Sequence, residues 1–219
     1  MIYEVKRKTL SSVPADEKEI ARYAGAKSID PELSALIGNC LCECEKEKAI
    51  NYAVCYALLP LVLSGNTADL SVFKFESKDL IKALRGAESA LVFACTVGLD
   101  IDRLIKKYSE TDPARALIFQ AIGAERVESF TDEFLREYAR DNGVKLAPRF
   151  SAGYGDLPLS AQKEIFALLQ PQKRIGLTLN DSLLMTPTKS VTAIVGIGGK
   201  ACGKTSCSAC EKTDCEYRR

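Results

Sequence analysis

Between Pro148 and Pro158 the chain reads Arg149-Phe150-Ser151-Ala152-Gly153-Tyr154-Gly155-Asp156-Leu157. Two glycines flank a tyrosine, and without a Cβ at either position the backbone can come close to a ligand. Exposed amides in such a turn can donate to a carboxylate, and Arg149 offers a planar fork that pairs with one bidentately. Tyr154 presents a flat ring to an adenine or to a sulfonium, since a π-face attracts cations. By residue type this is a ligand-binding loop; an ordinary surface turn is the alternative.

A second chemical cluster lies at the C-terminus. Cys202, Cys207, Cys210 and Cys215 are spaced C-x4-C-x2-C-x4-C. Four thiolates this close, interleaved with Gly203, Ser206 and Ser208, can wrap one tetrahedral centre. The spacing differs from common ferredoxin and zinc-ribbon patterns, so an iron–sulfur cluster, a zinc ion and a thiol-rich tail without metal all stand as readings. Cys40, Cys42 and Cys44 form C-x-C-x-C: in an extended segment all three face one way, on a helix they spread apart. Cys55 and Cys95 fall in apolar runs and read as core residues. The nine cysteines point to metal or redox chemistry more than to disulfides.

Histidine is absent. That excludes Ser-His-Asp and Cys-His nucleophile systems, His-ligated zinc and His-ligated haem. No Gly-x-Gly strand-to-helix fingerprint of a dinucleotide-type methyltransferase is present either.

The elements that must position these residues follow from alternation, caps and breakers. Residues 2–9 alternate as a strand, and residues 12–16 open a helix to about Ala24. Asp30-Pro31 starts a second helix. Residues 51–63 read as strand, Gly65-Asn66 as turn, and residues 70–75 as another strand. Ser77 caps a helix over 78–84, and the apolar run 90–96 predicts a central strand. Val97-Gly98 leads into an amphipathic helix carrying Leu99, Ile101, Leu104 and Ile105. The longest helix is capped by Asp112, begins at Pro113 and stops at Asn142-Gly143. On it Leu117, Ala121, Ala124 and Leu135 make a stripe at spacings of three, four and seven, and Glu128 falls on the same stripe. A charge on an apolar stripe is unfavourable unless it is paired; a helix-edge glutamate with its head in water is the bland reading. Beyond the glycine- and proline-rich loop, 160–169 predicts a helix, and 175–179 and 191–197 predict strands.

The chain has 219 residues, is 47% hydrophobic, and carries 30 Lys+Arg against 29 Asp+Glu, a net charge of +1. This supports a real core and gives no field of one sign to draw it to nucleic acid or anionic membrane. The N-terminus lacks a signal-peptide pattern, and no apolar run has the roughly 20 residues that span a bilayer. A cytoplasmic protein is expected. Strand pairs and helices without regular alternation predict α+β: a mixed, largely antiparallel twisted sheet with flanking helices, and a short Cys-rich tail.

The stretch Arg-x-Ser-x-Gly-Tyr-Gly-Asp-x-Pro, followed by Gln162-Lys163-Glu164-Ile165-Phe166-Ala167-Leu168-Leu169, resembles the reactivation domain of cobalamin-dependent methionine synthase. So does Ile175-Gly176-Leu177-Thr178-Leu179-Asn180-Asp181-Ser182-Leu183-Leu184-Met185-Thr186-Pro187, then Lys189-Ser190-Val191-Thr192. Upstream, Thr96-Val97-Gly98 and residues 112–128 are similar to the stand-alone versions in anaerobic bacteria. The likeness covers residues 70–198 and divides the chain into a reactivation-like domain, 1–198, and a tail, 199–219.

The resemblance implies S-adenosylmethionine as ligand, held by Arg149, Ser151, Gly153 and Tyr154 in the loop and by Glu128 on the long helix. Glu128 would meet the ligand's amino group, opposite Arg149 on its carboxylate. It further implies reductive methylation of cob(II)alamin held by a partner, either a corrinoid-binding methionine synthase or a related corrinoid methyltransferase, with a reductant protein supplying the electron. The Asp-x-His-x-x-Gly corrinoid signature has no match here, since it needs a histidine. Where the full-length enzyme continues with cysteine–proline–aspartate–histidine, Gly155-Asp156-Leu157-Pro158 stands instead, and its later Tyr-Tyr element has no counterpart. The alternative is a metal-binding or electron-delivery module on the same fold that does not bind S-adenosylmethionine.

Overall fold

The apolar run at residues 90–95, closed by Thr96, has the length of a strand covered on both faces. In the computed structural model, which describes residues 4–9 and 13–198, it forms such a strand. Strand β6 (Ser89–Thr96) lies between β2 (Ala53–Pro60) and β9 (Ser190–Ile197), and β1 (Val5–Thr9) adds to β2, giving the order β1-β2-β6-β9. Every one of these pairings is antiparallel, with Phe93 opposite Tyr56 on one side and Ala193 on the other.

Side-chain alternation divides the core in two. Leu91, Phe93 and Cys95 of β6 point to a cluster with Ile20, Ile37, Ile101, Phe119 and Phe130. These belong to helices α1 (Glu17–Tyr23), α2 (Pro31–Lys46), α4 (Asp100–Tyr108) and α5 (Pro113–Asn142). Ala90, Val92 and Ala94 face the other way, toward Leu80, Ile165 and Leu169. Those lie on α3 (Lys78–Ala83) and α6 (Gln162–Leu169). The architecture is therefore α+β, an antiparallel sheet with helices on both faces.

The helix boundaries are set locally. Asp16, Asp30, Ser77 and Asp112 each accept backbone amides at an N-terminus, and Pro31 and Pro113 stand in first turns. Gly143 ends the 30-residue α5 in the left-handed conformation, φ 64°. At about 45 Å, α5 spans the whole sheet.

Three expectations shift. The strand over 51–63 breaks into β2 and β3 (Val62–Ser64), because Pro60 has no amide to continue the ladder and Leu61 turns into the core. Of the strand expected at 70–75 only the last two residues are strand, opening β5 (Lys74–Glu76); residues 70–73 form the turn that joins it to β4 (Thr67–Asp69). There the Asp69 carboxylate accepts the Ser71 amide at 2.8 Å, a side-chain bond that competes with the ladder. In the stretch 175–179, the first part closes α7 (Pro171–Ile175), which Pro171 initiates and Gly176 stops. Only Thr178–Leu179 is strand (β7), paired with β8 (Met185–Thr186).

Among the described residues no helix is long and apolar enough to cross a membrane.

Candidate functional site

Strand β9 would end the sheet with an open row of amides and carbonyls, which folds avoid leaving bare. Residues 145–150 cover it. Ala147 donates to the Gly196 carbonyl at 2.8 Å, and Phe150 and Ile194 exchange both backbone bonds, at 2.9 and 2.8 Å. Strand-like alternation then sorts the side chains: Phe150 packs into the core cluster on the α6 face, and Arg149 projects to the opposite face, where α5 lies.

There the Arg149 guanidinium pairs with Glu128 through its Nη2, and its Nη1 lies 3.5 Å from the Asp132 carboxylate. The two side chains expected at opposite ends of a ligand thus meet each other. Glu128 and Arg149 are only 30% and 24% exposed, and Asp132, one turn along α5, is 59% exposed. The Nη1 atom is buried and makes no hydrogen bond. Locally, one cation faces two carboxylates, a surplus of one negative charge.

The apolar stripe assigned to α5 is met in part. Ala121 is buried and Leu135 packs against the core, whereas Leu117 is 50% exposed. The inward face is carried mainly by Ala116, Phe119, Ile122, Gly123, Phe130 and Phe134. Phenylalanines set the buried face because they have the most surface to remove from water. Glu128 sits at the margin of that face, where a carboxylate keeps part of its hydration.

Beyond Phe150 the loop turns back on itself. Gly153 (φ 88°) and Gly155 (φ 54°) adopt conformations that disfavour other residues. A Cβ at Gly155 would collide with the Asp79 carboxylate. The Gly153 amide donates to Leu157 and the Tyr154 amide to the Ser151 carbonyl, so these donors, expected to face a ligand, are used within the turn. Ala152 and Leu157 are buried anchors. Asp156 fastens the loop to the start of α3, accepting from the Ser77 hydroxyl and from the Lys78 and Asp79 amides at 2.8 and 3.2 Å. The Ser77 hydroxyl, with these amides, holds the Asp156 carboxyl below the ordinary aspartate range. The Tyr154 ring, held by these anchors, is 68% exposed.

Two charged residues on α5 escape sequence reasoning. Glu125 and Arg126 are 1% and 3% exposed and ion-paired. Arg126 also donates to the carbonyls of Val13 and Pro14 at 2.5 and 2.7 Å. An adjacent acid–base pair one turn from Ile122 and Phe130 was the available signal. The segment they hold forms one wall of an open groove of about 720 Å³, lined by residues 13–18 and, from α5, by Ser129, Asp132, Glu133 and Arg136. Asp132 joins this groove to the Arg149–Glu128 pair.

The cysteines divide by depth. Cys40, Cys42 and Cys44 lie on α2, so the first and third face the core while Cys42 is exposed. Helical pitch spreads them, and the single-faced trio of an extended segment does not form. Cys55 and Cys95 are fully buried; burial pushes their thiols up to about 12 and about 11. Cys95 lies 3.1 Å from the Thr131 hydroxyl on α5. Among the described residues no group of three metal-ligating side chains is assembled. Cys202, Cys207, Cys210 and Cys215 lie outside the described residues.

Residues 75–216 match the family model described as vitamin B12 dependent methionine synthase, activation domain. Among solved structures the chain is similar to the MetH reactivation domain bound to AdoHcy. The TM-score is 0.67 at 18% sequence identity, over 92% of this chain and 80% of that one. At that identity the likeness speaks for the fold. No curated protein matches the chain.

Proposed function

Given that this chain belongs to the vitamin B12-dependent methionine synthase activation-domain family, we propose that it binds S-adenosylmethionine beside the Arg149–Glu128 pair and presents it to a cobalamin held elsewhere. One observation carries this reading. Arg149 is fixed by the β9 edge next to Glu128 and Asp132, with a buried Nη1 that has no hydrogen-bond partner. The Asp132 carboxylate at 3.5 Å gives this atom an ion-pair contact without a hydrogen bond, and a ligand carboxylate would supply that bond.

The charges also fit. A ligand with a carboxylate, an ammonium and a sulfonium carries one net positive charge, matching the surplus negative charge of Glu128 and Asp132 over Arg149. In this reading Arg149 takes the carboxylate and Glu128 the ammonium, so that each ion exchanges one partner for another. Ser151 follows Arg149 in the loop, Gly153 allows the turn, and the exposed ring of Tyr154 offers a face to the adenine or sulfonium. The AdoHcy in the similar structure is the demethylated form of the same ligand.

When bound, the ligand supplies a methyl group on a positively charged sulfur. The residues of this chain bind it and hold it in line, a task of orientation that needs no proton transfer and suits a sequence without histidine. For the same reason the cobalamin belongs to another domain or protein, a corrinoid-binding methionine synthase or related corrinoid methyltransferase. Cys202, Cys207, Cys210 and Cys215 are proposed ligands of an iron–sulfur cluster or zinc; a cluster would suit the electron that reactivation consumes.

Isothermal titration tests the core of this reading. Wild-type protein is expected to bind S-adenosylmethionine and Arg149→Ala to lose that binding. Absence of heat at millimolar ligand would refute it and favour a metal-binding or electron-delivery module. With binding in hand, loss of cob(II)alamin in mixtures with candidate corrinoid proteins identifies the partner.

A further inference from the structure

Helix α5 carries two ions on its most buried face. Glu125 and Arg126 are almost wholly out of water, and removing a pair of charges from water is strongly unfavourable unless further hydrogen bonds complete their shells. Those bonds converge on one short segment. Arg126 Nη1 donates to the Val13 carbonyl at 2.5 Å and Nη2 to the Pro14 carbonyl at 2.7 Å. Glu125 Oε1 accepts the Asp16 amide at 3.4 Å and the Ser129 hydroxyl at 2.5 Å. Asp16 in turn caps α1, taking the Lys18 and Glu19 amides at 2.9 and 3.2 Å.

At the far end of the segment so gripped, the Asp16 carbonyl accepts the Ile20 amide at 3.0 Å as the first bond of α1. Residues 13–15 belong to no helix or strand, and it is this pair that ties them to α5. The segment is also the groove wall that faces Ser129 and Asp132, and Asp132 stands 3.5 Å from Arg149 Nη1. An apolar pair of equal volume would fill the same space on α5 but could not fix two carbonyls and an amide to within a hydrogen bond. We infer that the buried Glu125–Arg126 pair is a positioning device: it clamps residues 13–16 as the second wall of the ligand groove and thereby sets the affinity for S-adenosylmethionine. The inference rests on the binding function proposed above.

The test uses the full chain and two variants. Combined Glu125→Gln and Arg126→Met removes both charges at nearly constant volume, so no lone ion is left buried and the melting temperature is expected to stay near wild type. Arg126→Lys keeps the charge opposite Glu125 but has no fork to span two carbonyls. Affinity for S-adenosylmethionine by titration should fall in the order wild type, Arg126→Lys, double variant, with a total loss of roughly tenfold or more. Amide exchange should accelerate at residues 15–19 and not in α5. A role confined to stability would instead make affinity follow the melting temperature, with no local change in exchange. Wild-type affinity in a folded double variant overturns the inference. If that variant does not fold, wild-type affinity in Arg126→Lys with accelerated exchange at residues 15–19 overturns it equally, and so does unchanged exchange there. If the wild-type protein binds no S-adenosylmethionine, the proposed function fails and this inference with it; binding that neither variant disturbs sinks the inference alone.

Discussion

Replacing Arg149 by alanine separates two roles of its side chain. In the folded protein its ion pair with Glu128 is about a quarter to a third exposed, and partly solvated pairs of this kind contribute about 1 kcal/mol or less to stability. In a domain of this size that amounts to about 2–4 °C in melting temperature. The effect on binding is much larger. A hydrogen bond to a charged group is worth about 1.5–3 kcal/mol, and a two-pronged contact with the ligand carboxylate therefore about 3 kcal/mol or more, which is at least about a hundredfold in Kd. Arg149→Lys, which keeps the charge without the fork, should fall between. Removing the cation also leaves Glu128 and Asp132 side by side, so Arg149→Met with Glu128→Gln serves as the control for their repulsion. Thermal melts and calorimetric titrations on the same preparations give both quantities. If Arg149→Ala binds within about threefold of wild type while melting within a few degrees of it, the assignment of Arg149 to the ligand carboxylate is wrong.

Further outcomes follow from the same geometry. Asp156 has its carboxyl held below the ordinary range by Ser77 and two α3 amides; the stabilisation is present above the unfolded-state pKa of about 4 and is lost as pH falls through the folded-state value. Asp156→Asn should therefore narrow its gap to wild type in acid, and a melting-temperature difference that does not change between about pH 6 and about pH 3 would disprove this. Gly155→Ala sets a Cβ against the Asp79 carboxylate at positive φ, and should cost at least about 1 kcal/mol in a denaturant titration. Alkylation followed by peptide mapping should find Cys42 modified in native protein, and Cys40, Cys44, Cys55 and Cys95 only after unfolding; burial pushes the Cys44 thiol up to about 12 as well. Anaerobically purified protein should absorb in the visible and bleach on reduction if the tail cysteines hold a cluster, whereas colourless protein with stoichiometric zinc would overturn that.

Much of the scaffold was legible from local chemistry. Asp112, Pro113 and Gly143 bracket α5 because a cap, a pre-set φ and a left-handed stop act within a turn of the helix. The run at 90–96 marked the central strand because it is continuous and has a strand's length rather than a helix's. Less legible was the stretch 67–76, where one aspartate side chain competes with the ladder, and the buried face of α5, where Leu117 and Phe119 are equally apolar by type. Choosing between them depends on what lies across the interface.

The loop at 149–158 announced itself by residue type, and the residue types alone identified Glu128 as out of place on an apolar stripe. That Glu128 meets Arg149, 21 positions away, and that Arg126 reaches back more than a hundred positions to Val13 and Pro14, was decided only in three dimensions. Caps and turns are settled by sterics and hydrogen bonds among near neighbours, so the order of residues contains them. Which ions pair depends on ångström-scale placement of distant segments, and that placement is fixed when both faces of the sheet are covered and the β9 edge is closed.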